Sequence, residues 1–455
     1  MTADPRIAPV PSTPPLQPWP APEAPAPISA TVTVPGSKSE TNRALVLAAL
    51  ADRPSVITNG LDARDTVLMR EALRTLGVAI VENGDQWLVT PPERFTGGGT
   101  VQCGLAGTVM RFVPALAALA DGDVRFEGDE QAAARPMAPL LDALTALGAD
   151  SRTDGGPGLP FTVTGRPGLR GGPVTVDASS SSQYVSALLL VGARFADGLD
   201  LRHVGGPVPS LPHIAMTVAM LRERGVEVDD SEPGRWRVSP GVLAARDVVV
   251  EPDLSNAAPF LAAAAVTGGM VTVRHWPAST LQPGDQIRTV LQGFGAEVTW
   301  FEGDLTVRGH HFLHAVELDL RAASELTPVV AAVAALAEGS SRISGVGHIR
   351  GHETDRLAAL EAELTALGCG VSTDDDGLTI HPKLLGSALF HTYADHRMAH
   401  AAAVLGLVVA GVVVDDVACT SKTMPEFVQL WSAMVAETEA GIETADHTDP
   451  GLPAA

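Results

Sequence analysis

The 455-residue chain holds 31 Lys plus Arg against 53 Asp plus Glu, a net charge of −22, with 45% hydrophobic and 18% charged residues. Such a length suits two to three domains or two large lobes, and the apolar content excludes global disorder. The acidity excludes nonspecific binding to nucleic acid or anionic membrane, which need a basic surface, but not small anionic ligands that need only a few local cations.

In chain order, residues 1–28 contain ten prolines and read as an extended, flexible tail. The body, 29–436, repeats itself. One phrase is an apolar helix, a glycine and two alternating strands, with the glycines at Gly77, Gly148, Gly225, Gly295 and Gly368. Each glycine suits the left-handed residue just past a helix end. A second phrase is an alanine- and leucine-rich helix with a polar opening, starting near Arg43, Arg111, Gln183, Asn256, Thr327 and Arg397. The spacings, 68 to 77 residues in both series, define six α/β units, each long enough to be a small subdomain. Two lobes of three units are expected, with the chain crossing near 251–256. Residues 437–455, with five acidic residues and no Lys or Arg, read as a solvated tail.

The alanine-rich helices open with polar clusters: PGSKSETNR (35–43), LAGTVMR (105–111), SSSSQ (179–183), DLSNA (253–257), SELTP (324–328) and YADHR (393–397). A helix N-terminus offers free N–H groups and the positive end of the dipole, a ready anion site. Taken alone, SELTP and DLSNA read first as N-caps, and SSSSQ equally as a loop. PGSKSETNR is harder to explain so, because Lys and Arg in the first helical turns oppose the dipole unless something anionic compensates. Only three of the 31 basic residues are lysine: Lys38, Lys383 and Lys422. With Arg135 in AARPM, Arg356 in HETDR and Lys422 in CTSKT, the pattern predicts a cleft for polyanionic small molecules.

Other motifs fail. GSKS lacks the earlier glycine of a Walker A loop, GVGHIRG has the wrong spacing for a dinucleotide, and no G-x-S-x-G is present. His396 and His400, and HHFLH at 310–314, lack a zinc-site glutamate, so no metal is predicted. Three cysteines without C-x-x-C point to a reducing cytoplasm. No apolar run of about 18 residues suggests a membrane span.

The stretches PGSKSETNRALVLAALA, LAGTVMRF, ARPM, SSSSQYVSALLL, ELTP, RGHETDRL, YADHRMA and CTSKTMPEF, in this order over 35–427, resemble the EPSP synthase (3-phosphoshikimate 1-carboxyvinyltransferase) family of enolpyruvyl transferases. The resemblance implies an α/β, two-lobed enolpyruvyl transferase fold of six β-α-β-α-β-β pseudo-repeats, three per lobe, with the active site in the inter-lobe cleft. It places 37–251 in the first lobe and 29–36 plus 252–436 in the second. It implies transfer of the carboxyvinyl group of phosphoenolpyruvate to the 5-hydroxyl of shikimate 3-phosphate, releasing phosphate. A monomer with no cofactor is expected.

By motif, Lys38, Gly107, Arg135, Gln183, Arg356, Arg397 and Lys422 fall to phosphoenolpyruvate. Lys38, Ser39, Arg43, Ser181, Ser182, Ser210, Glu325 and His352 fall to shikimate 3-phosphate. The chemistry needs a base at the hydroxyl and a proton carrier at the methylene; the expectation is Glu325 for the first, and Glu353 with Lys38 or Lys422 for the second. Many family members carry aspartate at Glu325, lysine at His352, asparagine at Leu105 and His348, and tyrosine at His213. A histidine for lysine at 352 predicts a pH-dependent cationic contact. Two rivals remain: the sister transferase acting on UDP-N-acetylglucosamine, which uses a loop cysteine that AARPM does not supply, and a noncatalytic anion binder, which would not need Glu325 and Glu353.

Overall fold

The computed structural model describes residues 18–446, with side chains to residue 439. Six inner helices carry the alanine-rich segments. In the first half they are Lys38–Leu50, Gly107–Ala117 and Gln183–Gly192. In the second they are Leu254–Thr267, Thr327–Ala334 and His396–Gly406. These helices are buried nearly all round, as helices apolar on every face must be, and the three of each half touch one another. The Arg64–Thr75 helix, by contrast, has one apolar stripe and lies outside.

Of the six sheets among the described residues, five have four strands and one topology. In one of them, Thr100–Gln102 runs parallel to Gly122–Glu127, which pairs antiparallel with Phe161–Gly165, which pairs antiparallel with Asp150–Thr153. The repeat closes through borrowed strands. Val248–Val249, after the third unit, returns to pair with Ser55–Thr58 of the first. Ser29–Val32, before the first unit, pairs with Met270–Val273 of the second half. The buried apolar residues accordingly form two clusters, one spanning Ala44 to Val250, the other combining Ala21 to Val34 with Leu254 to Val435. Gly77, Gly148, Gly225, Gly295 and Gly368 all have positive φ, as their place after helix ends requires.

Both expected tails are shorter than the composition suggests. Within 1–28, Trp19–Pro20 pairs antiparallel with Val413 and Val414, and Ala21 and Ile28 are buried. The strand lies at a sheet edge, where proline's missing N–H costs no ladder bond. Within 437–455, the Phe427–Asp446 helix continues through 446, and Thr438 is buried and accepts the Ser29 N–H at 3.0 Å. Residues 1–17 and 447–455 lie outside the described residues.

The halves meet at a double crossing. The Ser37 N–H donates to Glu251 O at 2.7 Å, and the Asp253 N–H donates to Pro35 O at 2.8 Å. A Cβ on Gly36 would stand 2.1 Å from Asn59 O, so only glycine lets the crossing pack this closely on the end of the Ser55–Thr58 strand. Asp253 caps two helices at once, accepting from the Asn256 N–H at 2.9 Å and the Lys38 N–H at 3.1 Å.

Candidate active site

The N-termini of the inner helices open into one cleft between the halves. Its walls hold Lys38, Arg43, Arg111, Arg135, Arg356 and Arg397 against three carboxylates, Asp253, Glu325 and Glu353. The interior is thus net basic inside a chain of net charge −22. Of the residues expected from sequence, Ser39, Gly107, Ser181, Ser182, Gln183, Ser210 and His352 also line it. Lys422 is not in the wall but pairs with Glu353 from behind.

On the first-half side, Arg43 is held by Thr217 Oγ1 at 2.8 Å, Ser39 Oγ at 2.6 Å and His213 O at 3.2 Å. Burial pulls its pKa down to about 10, still fully charged at neutral pH. The N-terminus of the Gly107–Ala117 helix has no side-chain cap, and Arg111 and Arg135 converge over Gly107. Burial, and then the neighbouring Arg135, lower Arg111 to about 10. Like charges so placed call for an anion between them. The Nε atoms of Arg111, Arg135 and Arg397 and the Oε1 of Gln183 are buried with no hydrogen-bond partner among the described residues. Ser210 has a left-handed backbone, φ 50°, and its N–H donates to Arg321 O across the cleft at 3.1 Å.

On the second-half side, Arg356 forms a bidentate pair with Asp395 at 2.7 and 3.1 Å and reaches Glu353 at 3.0 Å. Both members of the Arg356–Asp395 pair are essentially fully buried, so each needs the other. Burial pushes Glu353 up, but Lys422, Arg356 and Arg135 outweigh it and hold the carboxyl well below its usual range. Glu325 follows the same logic: burial raises it, while His213, Arg397 and Lys38 bring it well below the ordinary carboxylate value. Both glutamates are therefore ionised at neutral pH.

At His352 the sequence predicts a pH-dependent cationic contact. Burial, then Arg356, push its pKa well below 6.5, so it is neutral. Its Nδ1 faces Arg356 Nη1 at 3.0 Å and must accept, which puts the proton on Nε2. His348 is likewise lowered, to about 4, chiefly by burial, and its Nε2 lies 2.9 Å from Ser324 Oγ. Sequence reasoning gave no role to Arg111, Asp253, Asp395 or Asp65, which sits 3.4 Å from Lys38 Nζ. Arg111 and Asp395 were visible in the helix-opening clusters; Asp65 opens an outer helix and carried no signal.

A sequence model of EPSP synthase (3-phosphoshikimate 1-carboxyvinyltransferase) matches residues 22–431. The 3-phosphoshikimate 1-carboxyvinyltransferase of Mycobacterium ulcerans (strain Agy99) is 55% identical over 426 residues, 92% of this chain and 98% of that protein. Among solved structures, an EPSP synthase from Acinetobacter baumannii superposes with a TM-score of 0.76 at 22% identity, covering 92% of this chain and 97% of that one. The enolpyruvyl transferase NikO from Streptomyces tendae superposes with a TM-score of 0.71 at 19% identity, covering 90% and 96%. At such identities the two structures speak to the fold alone. On the family match and the 55% relative, this chain belongs to the EPSP synthase family.

Proposed function

We propose that the chain transfers the enolpyruvyl group of phosphoenolpyruvate to the 5-hydroxyl of shikimate 3-phosphate, releasing phosphate, in the shikimate pathway that leads to the aromatic amino acids. The observation that carries this reading is the cleft: cations from both halves converge on one space whose walls also hold two ionised glutamates, Glu325 and Glu353. The two substrates bring two phosphates and two carboxylates, which such a space suits. Arginine forks take phosphate and carboxylate bidentately, each charge-assisted bond worth about 1.5–3 kcal/mol net.

Lys38, Gly107, Arg135, Gln183, Arg356 and Arg397 take phosphoenolpyruvate in this reading, and Lys422, behind the wall, acts on it through Glu353. Ser39, Arg43, Ser181, Ser182 and Ser210 take shikimate 3-phosphate, with Lys38 shared between the two substrates. His352 joins them as a neutral N–H donor, not a cation. Protonation of the enol methylene builds positive character at C2, and the acceptor oxygen attacks there while Glu325 takes its proton. The tetrahedral intermediate then loses phosphate and a methyl proton. The contact between Lys422 Nζ and Glu353 supplies an acid and a base in reach of each other for the methylene proton, with Lys38 the second candidate acid.

Cys103 is buried, and burial pushes its thiol up to about 12, which disfavours cysteine chemistry of the UDP-N-acetylglucosamine type. Three free cysteines suit a cytoplasmic setting, and no described helix is long and apolar enough to cross a membrane. The enzyme is taken to act as a monomer and to be inhibited by glyphosate.

The test compares wild type with Glu325→Gln on both substrates. Wild type forms enolpyruvylshikimate 3-phosphate. The variant loses about 100-fold or more in turnover while shikimate 3-phosphate affinity stays within about threefold. Absence of product from folded wild type removes the reaction; unchanged turnover in the variant removes Glu325 as base.

A further inference from the structure

We propose that His213 is a positioning residue for the reaction, reaching across the cleft from the first half to hold the carboxylate of Glu325 in one orientation. This rests on the reading of Glu325 as base. His213 stands in the first turn of the Leu211–Arg222 helix, whose start is pinned to the other half by the Ser210 N–H bond to Arg321 O, 3.1 Å. Its Nε2 lies 3.5 Å from Glu325 Oε2 and its Nδ1 3.4 Å from Ser39 Oγ. Among the described residues it is the one basic side chain in ion-pair contact with Glu325. A contact of this length is of the loose kind that tightens when a site closes on its substrates.

The carboxylate sets the tautomer: Glu325 is ionised and only accepts, so the imidazole nitrogen that faces it, Nε2, carries the N–H. Ser39 Oγ accepts from Arg43 Nη1 at 2.6 Å and is left to donate to His213 Nδ1. The backbone is fixed as well, since His213 O accepts from Arg43 Nη2 at 3.2 Å and Thr217 Oγ1 at 3.0 Å. The result is a donor chain, Arg43 to Ser39 to His213 to Glu325, polarised one way and ending on the carboxylate.

Other charges face Glu325. The Lys38–Leu50 helix presents Lys38 and Arg43, and the His396–Gly406 helix presents Arg397. The segment 348–356 presents His348, His352 and Arg356; both histidines are neutral. Those groups supply charge from a distance. His213 makes the direct contact, at 3.5 Å, and joins this carboxylate to the Ser39–Arg43 pair.

The test is the pH profile of kcat and KM for His213→Phe, His213→Gln and Glu325→Gln. The Gln amide nitrogen reaches where Nε2 stands; the Phe ring fills the space without a donor. We expect His213→Phe to lower kcat about tenfold with KM for phosphoenolpyruvate within about threefold. The acidic limb of its kcat profile moves up by about one pH unit. His213→Gln returns both toward wild type. His213→Asn, whose amide meets Ser39 but falls short of Glu325, shares the defect and serves where the Phe variant does not fold. An unmoved acidic limb in the Phe or Asn variant, or a Gln variant no better than Phe, overturns the proposal. Retained turnover in Glu325→Gln overturns the base assignment instead and takes this inference with it; collapse of that variant beside unaffected His213 variants overturns this inference alone.

Discussion

Gly107 shows what one hydrogen can decide. A Cβ there would stand 3.0 Å from Arg111 Nη1 and 3.1 Å from Arg135 Nη2. These are flexible side-chain ends, so Gly107→Ala folds, with both guanidinium groups displaced by a few tenths of an ångström. The expected cost is a KM for phosphoenolpyruvate raised about tenfold with kcat within about threefold; steady-state kinetics in which KM is unchanged would remove Gly107 from that subsite. Much of the site was legible at this scale, because Lys38 and Arg43 in the first turns of a helix oppose its dipole and six polar openings recur in phase. What was not legible is pairing. That Asp395 locks Arg356, or that Asp65 lies beneath Lys38, depends on which helix ends meet in space. The neutrality of His352 likewise follows from burial and from Arg356, neither of which a letter in a sequence carries.

At the scale of elements, the crossing between halves holds an unusual carboxylate. Glu40, in the first turn of the Lys38–Leu50 helix, accepts the Glu251 N–H at 2.9 Å. Burial raises its pKa to about 7, and the charges of Glu251 and Glu223 add to this. Glu251 is itself anchored to the second half, accepting from Thr280 Oγ1 at 2.6 Å and Gln282 Nε2 at 2.9 Å. The folded state thus holds a proton on Glu40 that the unfolded chain releases near 4.5. This group's contribution to stability therefore falls as pH rises from about 4.5 to about 7, by an amount of order 3 kcal/mol. Glu40→Gln keeps the acceptor and removes the charge. It should raise the denaturant midpoint at pH 8 and leave it unchanged at pH 4; an equal midpoint at pH 8 would contradict the burial argument. The misread tails also belong here. Composition reports average solvation, and it cannot see that Trp19–Pro20 finds a sheet edge or that Trp431, Met434 and Val435 give the last helix a buried face.

At the scale of the molecule, six units were countable because each must bury one apolar helix, and five of them also end a helix in a left-handed glycine. Their arrangement around a cleft was not countable: it follows from borrowed strands such as Ser29–Val32 and from single bonds across the gap such as Ser210 to Arg321. The charge distribution has the same logic. An acidic exterior and a basic interior confine anion binding to the cleft, where cations from both halves act together. A cleft built this way joins phosphoenolpyruvate to a single acceptor. Phosphate release from phosphoenolpyruvate, measured with shikimate 3-phosphate, with UDP-N-acetylglucosamine and with no acceptor, tests this. Release is expected with shikimate 3-phosphate alone; release from folded protein with the nucleotide sugar or with no acceptor would rule out a single-acceptor cleft.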